Sequence, residues 1–259
     1  MAVADDGAGT DDRRRRHGRH LPLTVNPQNR TPLAIDGDAP RLQRGSVHQE
    51  PTCPRCGSEL RAPGLWSSDW ECARHGAVHP YEVLTHLGRD AVELVIARAA
   101  VPVWMPHGLP RGWVCSGLGY AGDERRGARA TVTSVTGPSP LGGPAELMVV
   151  AEEPGVGLGA RHAGLGEPDP GEGFDAGPPD AKVFAALHPT ALWSVPVSDE
   201  RAVFVGEAKG LWLWVVVWPA AAGLVMYEPV TLSDLREGRT DGIEFGPLSP
   251  RLSETPPGF

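Results

Sequence analysis

The chain has 259 residues, 41% hydrophobic and 22% charged, a globular balance that excludes a wholly disordered protein or a coiled coil. Its 33 glycines and 27 prolines are too many for a helical bundle and suit short strands joined by turns. The net charge of −8 divides into +1 over residues 1–50 and −9 over the rest, an acidic body that disfavours general nucleic-acid binding, where phosphate neutralisation dominates.

Residues 1–46 show no sustained periodicity and are rich in Asp, Arg, Gly and Pro, so residues 1–49 are expected to form a disordered tail. The arginine run 13–16, followed by His17, Arg19 and His20, reads as solvated low-complexity sequence rather than a nucleic-acid arm. No apolar segment of signal-peptide type follows it. Val47 stands just before the first cysteine pair, and a valine codon can start translation in bacteria. On that hypothesis residues 1–46 lie upstream of the true start, and detecting peptides from before Val47 would refute it.

Residues 50–80 carry the chemistry. Cys53-Pro54-Arg55-Cys56-Gly57 and Cys72-Ala73-Arg74-His75-Gly76 are two copies of one device, a ligand pair spaced by two residues with a glycine behind it. Such a turn presents two side chains to one ion, and the glycine supplies the permissive backbone. The spacing C-x2-C-x15-C-x2-H is that of a zinc ribbon, and Cys3His is a closed structural set for Zn2+. His75 occupies the position of Cys56 in the first copy and is preferred over His79 as fourth ligand. A thioredoxin-type redox pair at Cys53 and Cys56 would want a helix after it, and Gly57-Ser58 follows instead. A segment this short is below the roughly 40 residues at which a hydrophobic core usually suffices, so the metal would be the core.

A connecting helix is expected within 81–101. Val92, Val95, Ile96 and Ala99 form one apolar stripe over 89–100, which Pro102 ends. From 102 to 252 the sequence reads as a larger, antiparallel, β-rich domain, with strands at 112–121, 128–136, 145–151, 181–187, 191–195, 202–207, 211–218 and 223–227. The fold class is therefore α+β: a zinc ribbon, one connecting helix and a mostly antiparallel β domain. Residues 164–179 read as a long loop, 231–236 as a helical turn capped by Thr231 or Ser233, and 253–259 as a disordered end. The uncharged stretch 211–227 is too interrupted by Pro219 and Gly223 for a membrane span and reads as two buried strands.

Between strands, Gly155-Val156-Gly157-Leu158-Gly159-Ala160 has the letters of a dinucleotide fingerprint without the βαβ context. Gly155, Gly157, Gly159, Arg161 and His162 are kept as the site of a nucleotide, acyl or phosphate ligand in an alternative reading. Glu152 and Glu153 read as a solvated strand end, and Cys115 as a small buried apolar group.

The knuckle pair resembles a family when taken together with Arg61-Ala62-Pro63-Gly64-Leu65-Trp66, His75-Gly76-Ala77-Val78-His79-Pro80, Val101-Pro102-Val103-Trp104-Met105-Pro106, the glycine loop and Gly206-Glu207-Ala208-Lys209-Gly210-Leu211-Trp212-Leu213-Trp214. That family is an actinobacterial one of cytoplasmic proteins with a domain of unknown function, some labelled phosphotransacetylase. The likeness covers about residues 50–252 and implies no catalytic residue. The chain lacks the length and the helix-strand alternation of the transferase fold. The resulting expectation is a non-enzymatic cytoplasmic protein with structural Zn2+ and a protein partner, not bound to nucleic acid or membrane.

Overall fold

The computed structural model describes residues 50–65, 67–228, 230–238 and 240–254. The expected tail 1–49 and residues 255–259 of the expected C-terminal end lie outside them. All described residues belong to one compact unit.

Three short strands come first: β1 (Trp70–Cys72), β2 (Gly76–Val78) and β3 (Tyr81–Val83). Helix α1 (Arg89–Arg98) follows, with Asp90 in its first turn and Arg98 in its last, both matched to the helix dipole. It buries Ala91, Val92 and Val95, so the expected stripe is the packing face. Then come β4 (Trp104–His107), β5 (Val114–Asp123), β6 (Gly127–Pro138) and β7 (Pro144–Glu152). A short helix α2 (Leu158–Ala163) precedes β8 (Ala181–Ala185), β9 (His188–Ser194), β10 (Ala202–Ala208), β11 (Leu211–Trp218) and β12 (Val230–Asp234).

Strands β1 and β2 form a hairpin of their own, and the other ten form one sheet in the order β3-β5-β6-β7-β11-β10-β9-β8-β12-β4. Every neighbouring pair is antiparallel except β8 with β12, which is parallel, so the sheet is mostly antiparallel, mixed by that one contact. The parallel contact joins strands far apart in sequence, as parallel neighbours must be.

The apolar runs of β7 and β11 exist because both faces of the sheet are covered. Leu147, Val149, Leu213, Val215 and Val217 point into one core with α1, Val103, Trp104 and Leu232. Met148, Val150, Trp214 and Val216 point into a second core with Leu158, Ala160, Tyr81 and Leu252. The sheet rolls over the first face. Thr131 and Thr133 of β6 donate from their hydroxyls to the carbonyls of Pro102 and Trp104 at 2.5 Å, so the approach to β4 and its first residue lie across β6.

Three expectations fail here. Residues 223–227 are the second half of a 3-10 helix, Ala220–Tyr227, rather than a strand. Residues 231–234 are strand, and the helical turn begins at Leu235, capped by Asp234, whose carboxylate accepts from the Arg236 N–H. Ser253 and Glu254, expected in the loose end, are tied by Ser253 N–H to the Pro250 carbonyl and by the Glu254 carbonyl to Arg161. No helix among the described residues is long and apolar enough to cross a membrane.

Candidate metal centre

The first knuckle closes by a hydrogen bond from Gly57 N–H to the Cys53 carbonyl at 2.8 Å, with Gly57 at φ +73°. The second is the turn between β1 and β2, where Cys72 pairs with Gly76 and His75 sits at the tip. Backbone bonds between Arg61 and Glu71, and between Thr52 and Tyr81, hold the knuckles together and lay the unit on β3. Cys53, Cys56 and Cys72 form a small buried cluster, and among the described residues the hydrophobic side chains packed against it are Leu60 and Val78.

The ligand atoms of Cys53, Cys56, Cys72 and His75 all lie within 4.8 Å of one another. Cys56 Sγ is 3.7 Å from Cys72 Sγ, and His75 Nδ1 is 3.4 Å from Cys53 Sγ and 3.6 Å from Cys72 Sγ. A tetrahedral ion with bonds of ~2.3 Å to sulfur and ~2.0 Å to nitrogen sets edges of about 3.8 Å between sulfurs and about 3.5 Å from sulfur to nitrogen. The separations match those edges, and they are far longer than the ~2.05 Å of a disulfide. The residues present therefore fit a metal. His79 is outside the cluster, in a hollow of about 240 Å³ beside Arg55, Arg126 and Glu153.

Without a cation such a cluster is costly. Burial pushes the Cys53 thiol up to about 12, while at Cys56 burial is outweighed by hydrogen bonding with Ser58, Cys53 and Cys72 together, which lowers the thiol. Burial and the charges of Arg55 and Arg74 lower His75 and favour the neutral imidazole, which is the ligating form.

The glycine loop is in contact with the first knuckle. Arg55 of the first knuckle donates to the carbonyls of Gly155 (2.5 Å) and Val156 (3.4 Å), and Arg161 donates to the Cys53 carbonyl at 3.3 Å. Gly157 holds φ +85°, and a Cβ there would meet the Arg55 side chain at 2.9 Å. Gly159 is pressed on an indole: a Cβ there would lie 2.1 Å from Trp214 Cδ1. Arg161 and His162 are buried, with the Arg161 guanidinium 5.3 Å from the Tyr81 ring centroid. Of the five residues kept for a ligand, Gly155, Gly157 and Arg161 touch the first knuckle, Gly159 rests on Trp214, and the His162 carbonyl accepts from Arg201.

The residue missed is Glu152. Expected at a solvated strand end, it is fully buried, and its two carboxylate oxygens accept from the N–H groups of Leu158 (2.7 Å) and Gly159 (3.1 Å) at the start of α2. An internal carboxylate fills the place where a phosphate would sit. The signal was available: an acid at the end of a buried strand, six residues before unpaired helix N–H groups. Cys115 is buried as expected.

Burial pushes the Glu152 carboxyl up to about 8, against the pull of the Gly159 and Leu158 N–H groups, from an ordinary 4.5. Folding therefore takes up a proton between those values, so the stability Glu152 contributes is complete below pH 4.5 and lost as pH rises through about 8. The unfolding free energy of the wild type minus that of E152Q should fall across that window and level off above it. Urea titrations at several pH values read the difference, and a flat difference would show that the carboxylate ionises freely in the fold.

Residues 47–252 match the model of a family of unknown function (DUF6758), and the chain belongs to that family. No curated protein and no solved structure matches the chain.

Proposed function

We propose that this member of its family is a non-enzymatic cytoplasmic protein in which a structural Zn2+ fixes the N-terminal unit as a rigid binding surface for another protein. The observation that supports the reading is the closeness of the four ligand atoms, all within 4.8 Å of one another, with three separations of 3.4, 3.6 and 3.7 Å that suit the edges of a zinc tetrahedron. Four protein ligands, three of them buried cysteines, leave no position for water or substrate, so the ion would hold structure rather than do chemistry. Thiols kept at these distances suit a reducing compartment.

A protein partner is favoured by what the unit shows to solvent. The turn between the knuckles is closed by Gly64 N–H on the Ser67 carbonyl and holds out Leu65, whose side chain is 99% exposed. Nucleic acid is disfavoured because several of the arginines are engaged: Arg61 with Glu71, Arg55 with the glycine loop, and Arg126 of the neighbouring turn with Asp69.

Elemental analysis of the purified protein should give about one zinc per chain, falling to near zero in C72S. Affinity capture from native cells should recover a specific partner that L65D loses while keeping its zinc. A metal-free native protein would overturn the first half of the reading, and a partner set unchanged by L65D the second.

A further inference from the structure

At one end of the sheet the second face is open. Thr136 of β6, Glu146 of β7 and Trp218 of β11 stand directly opposite one another in register and share one wall of a cavity of about 920 Å³. That volume is in the range of small-molecule sites. The lip is the β6–β7 turn, where Gly142 and Gly143 have nothing packed where side chains would go.

The floor is a fixed anion. Glu146 is only 8% exposed, and its Oε1 accepts from the hydroxyls of Ser134 and Ser249, each at 2.6 Å. Ser134 is held in turn by Ser116 at 3.0 Å. Oε2 has a single looser partner, Arg251 Nε at 3.3 Å, and the Arg251 guanidinium lies 5.3 Å from the Trp218 ring centroid. Glu200 stands at the rim, 73% exposed.

The charged side chains lining the cleft, among the described residues, are Glu146, Glu200 and Arg251, with a second guanidinium, Arg201, 5.5 Å from the Trp218 ring centroid and 3.5 Å from Glu200. An anion entering would meet both carboxylates, while Arg251 is already turned to Glu146 and, at 3.6 Å, to Glu254, and Arg201 to Glu200 at 3.5 Å. A bare metal ion would want several free oxygens, and Oε1 is saturated by hydroxyl donors. Arg251 itself displays the chemistry that fits: a planar cation with an apolar stem, set between a carboxylate and an indole, on a half-exposed side chain that can swing out.

We propose that this cleft binds a small organic cation, an amine or guanidinium on an apolar body, whose charge sits on Glu146 with its body against Trp218, in the place Arg251 fills when no ligand is present. The site is separate from the metal centre and does not depend on the zinc reading.

The full-length protein is titrated calorimetrically with phenethylamine and phenethylguanidine, with 2-phenylethanol and phenylacetate as neutral and anionic counterparts. The two cations should bind saturably and the counterparts at least about tenfold more weakly. R251A should tighten the cations several-fold by removing the internal competitor. E146Q should weaken them about tenfold or more, and E200Q about threefold, the size of an exposed charge contact. Because Glu146 is buried, E200Q and R251A carry the test if E146Q does not fold. Preference for phenylacetate, loss of cation binding in R251A, or no binding of either cation at millimolar concentration to the wild type and R251A would overturn the proposal.

Discussion

Stripping the metal with a chelator is expected to unfold residues 51–80 as a unit while the ten-stranded sheet stays folded. Among the described residues the apolar cluster of this unit is the three cysteines with Leu60 and Val78, too small to offset the ordering of some thirty residues at about 1–2 kcal/mol each. Binding a structural zinc is worth on the order of 10 kcal/mol or more, and that is the term removed. The clamps from Arg55 and Arg161 join the unit to the sheet, but they act on a knuckle whose shape the proposed ion would set. Hydrogen exchange reads the result residue by residue. The amides of Thr52, Gly57, Arg61 and Glu71, all bonded within the unit or to β3, should lose protection while those of β6 and β7 keep it. C72S should reproduce the pattern. Protection retained at these four amides after the zinc content has fallen to zero would mean that the unit coheres without an ion.

Trp214→Ala is expected to cost about 3–5 kcal/mol, a large share of a typical domain's 5–15. Trp214 is fully buried in the middle of β11 and is the surface on which Gly159 of α2 rests. Removing the indole leaves a cavity beneath the helix that seats the first knuckle, so the loss should spread to the metal unit as weaker zinc retention. Gly159→Ala supplies the complementary test. Inside a helix alanine is ordinarily better than glycine by up to about 1 kcal/mol. Here the added methyl meets a rigid ring, and the sign should reverse to a loss of roughly 1–3 kcal/mol. Equilibrium urea unfolding measures both. A Trp214→Ala variant within about 1 kcal/mol of wild type would show that the two faces of the sheet are not packed as described.

Much of this architecture can be read from residues whose neighbours in sequence are also their neighbours in space. The two knuckles, the stripe of α1 and the strands β5, β6, β7, β10 and β11 announce themselves by spacing alone. What escaped depends on distant partners. Residues 231–234 look like the entrance to a helix because Thr and Ser are good caps, yet β8 on one side and β4 on the other supply a ladder that makes them strand. Strand β4 itself contains Pro106 and is short, so it carries no alternating signal. Residues 223–227 are apolar enough for a strand, but among the described residues they have no strand partner and wind as a 3-10 helix over β10 and β11. Glu152 was misjudged for a related reason: an acid at a strand end is usually wet, and only the return of α2 above it makes the position dry.

The place of β7 bears on how the chain comes off the ribosome. Its two sheet neighbours are β6, just before it, and β11, which begins only after residues 153–210 have been made. At about 5–20 residues per second, the run Leu147-Met148-Val149-Val150-Ala151 waits roughly 3–12 s with one edge unpaired. An edge of that composition is a template for joining other nascent chains. Glu146 on one side and Glu152 with Glu153 on the other bracket the run with negative charge during that interval. The same acids that end up anchoring a cleft and a helix would thus first serve as guards against aggregation.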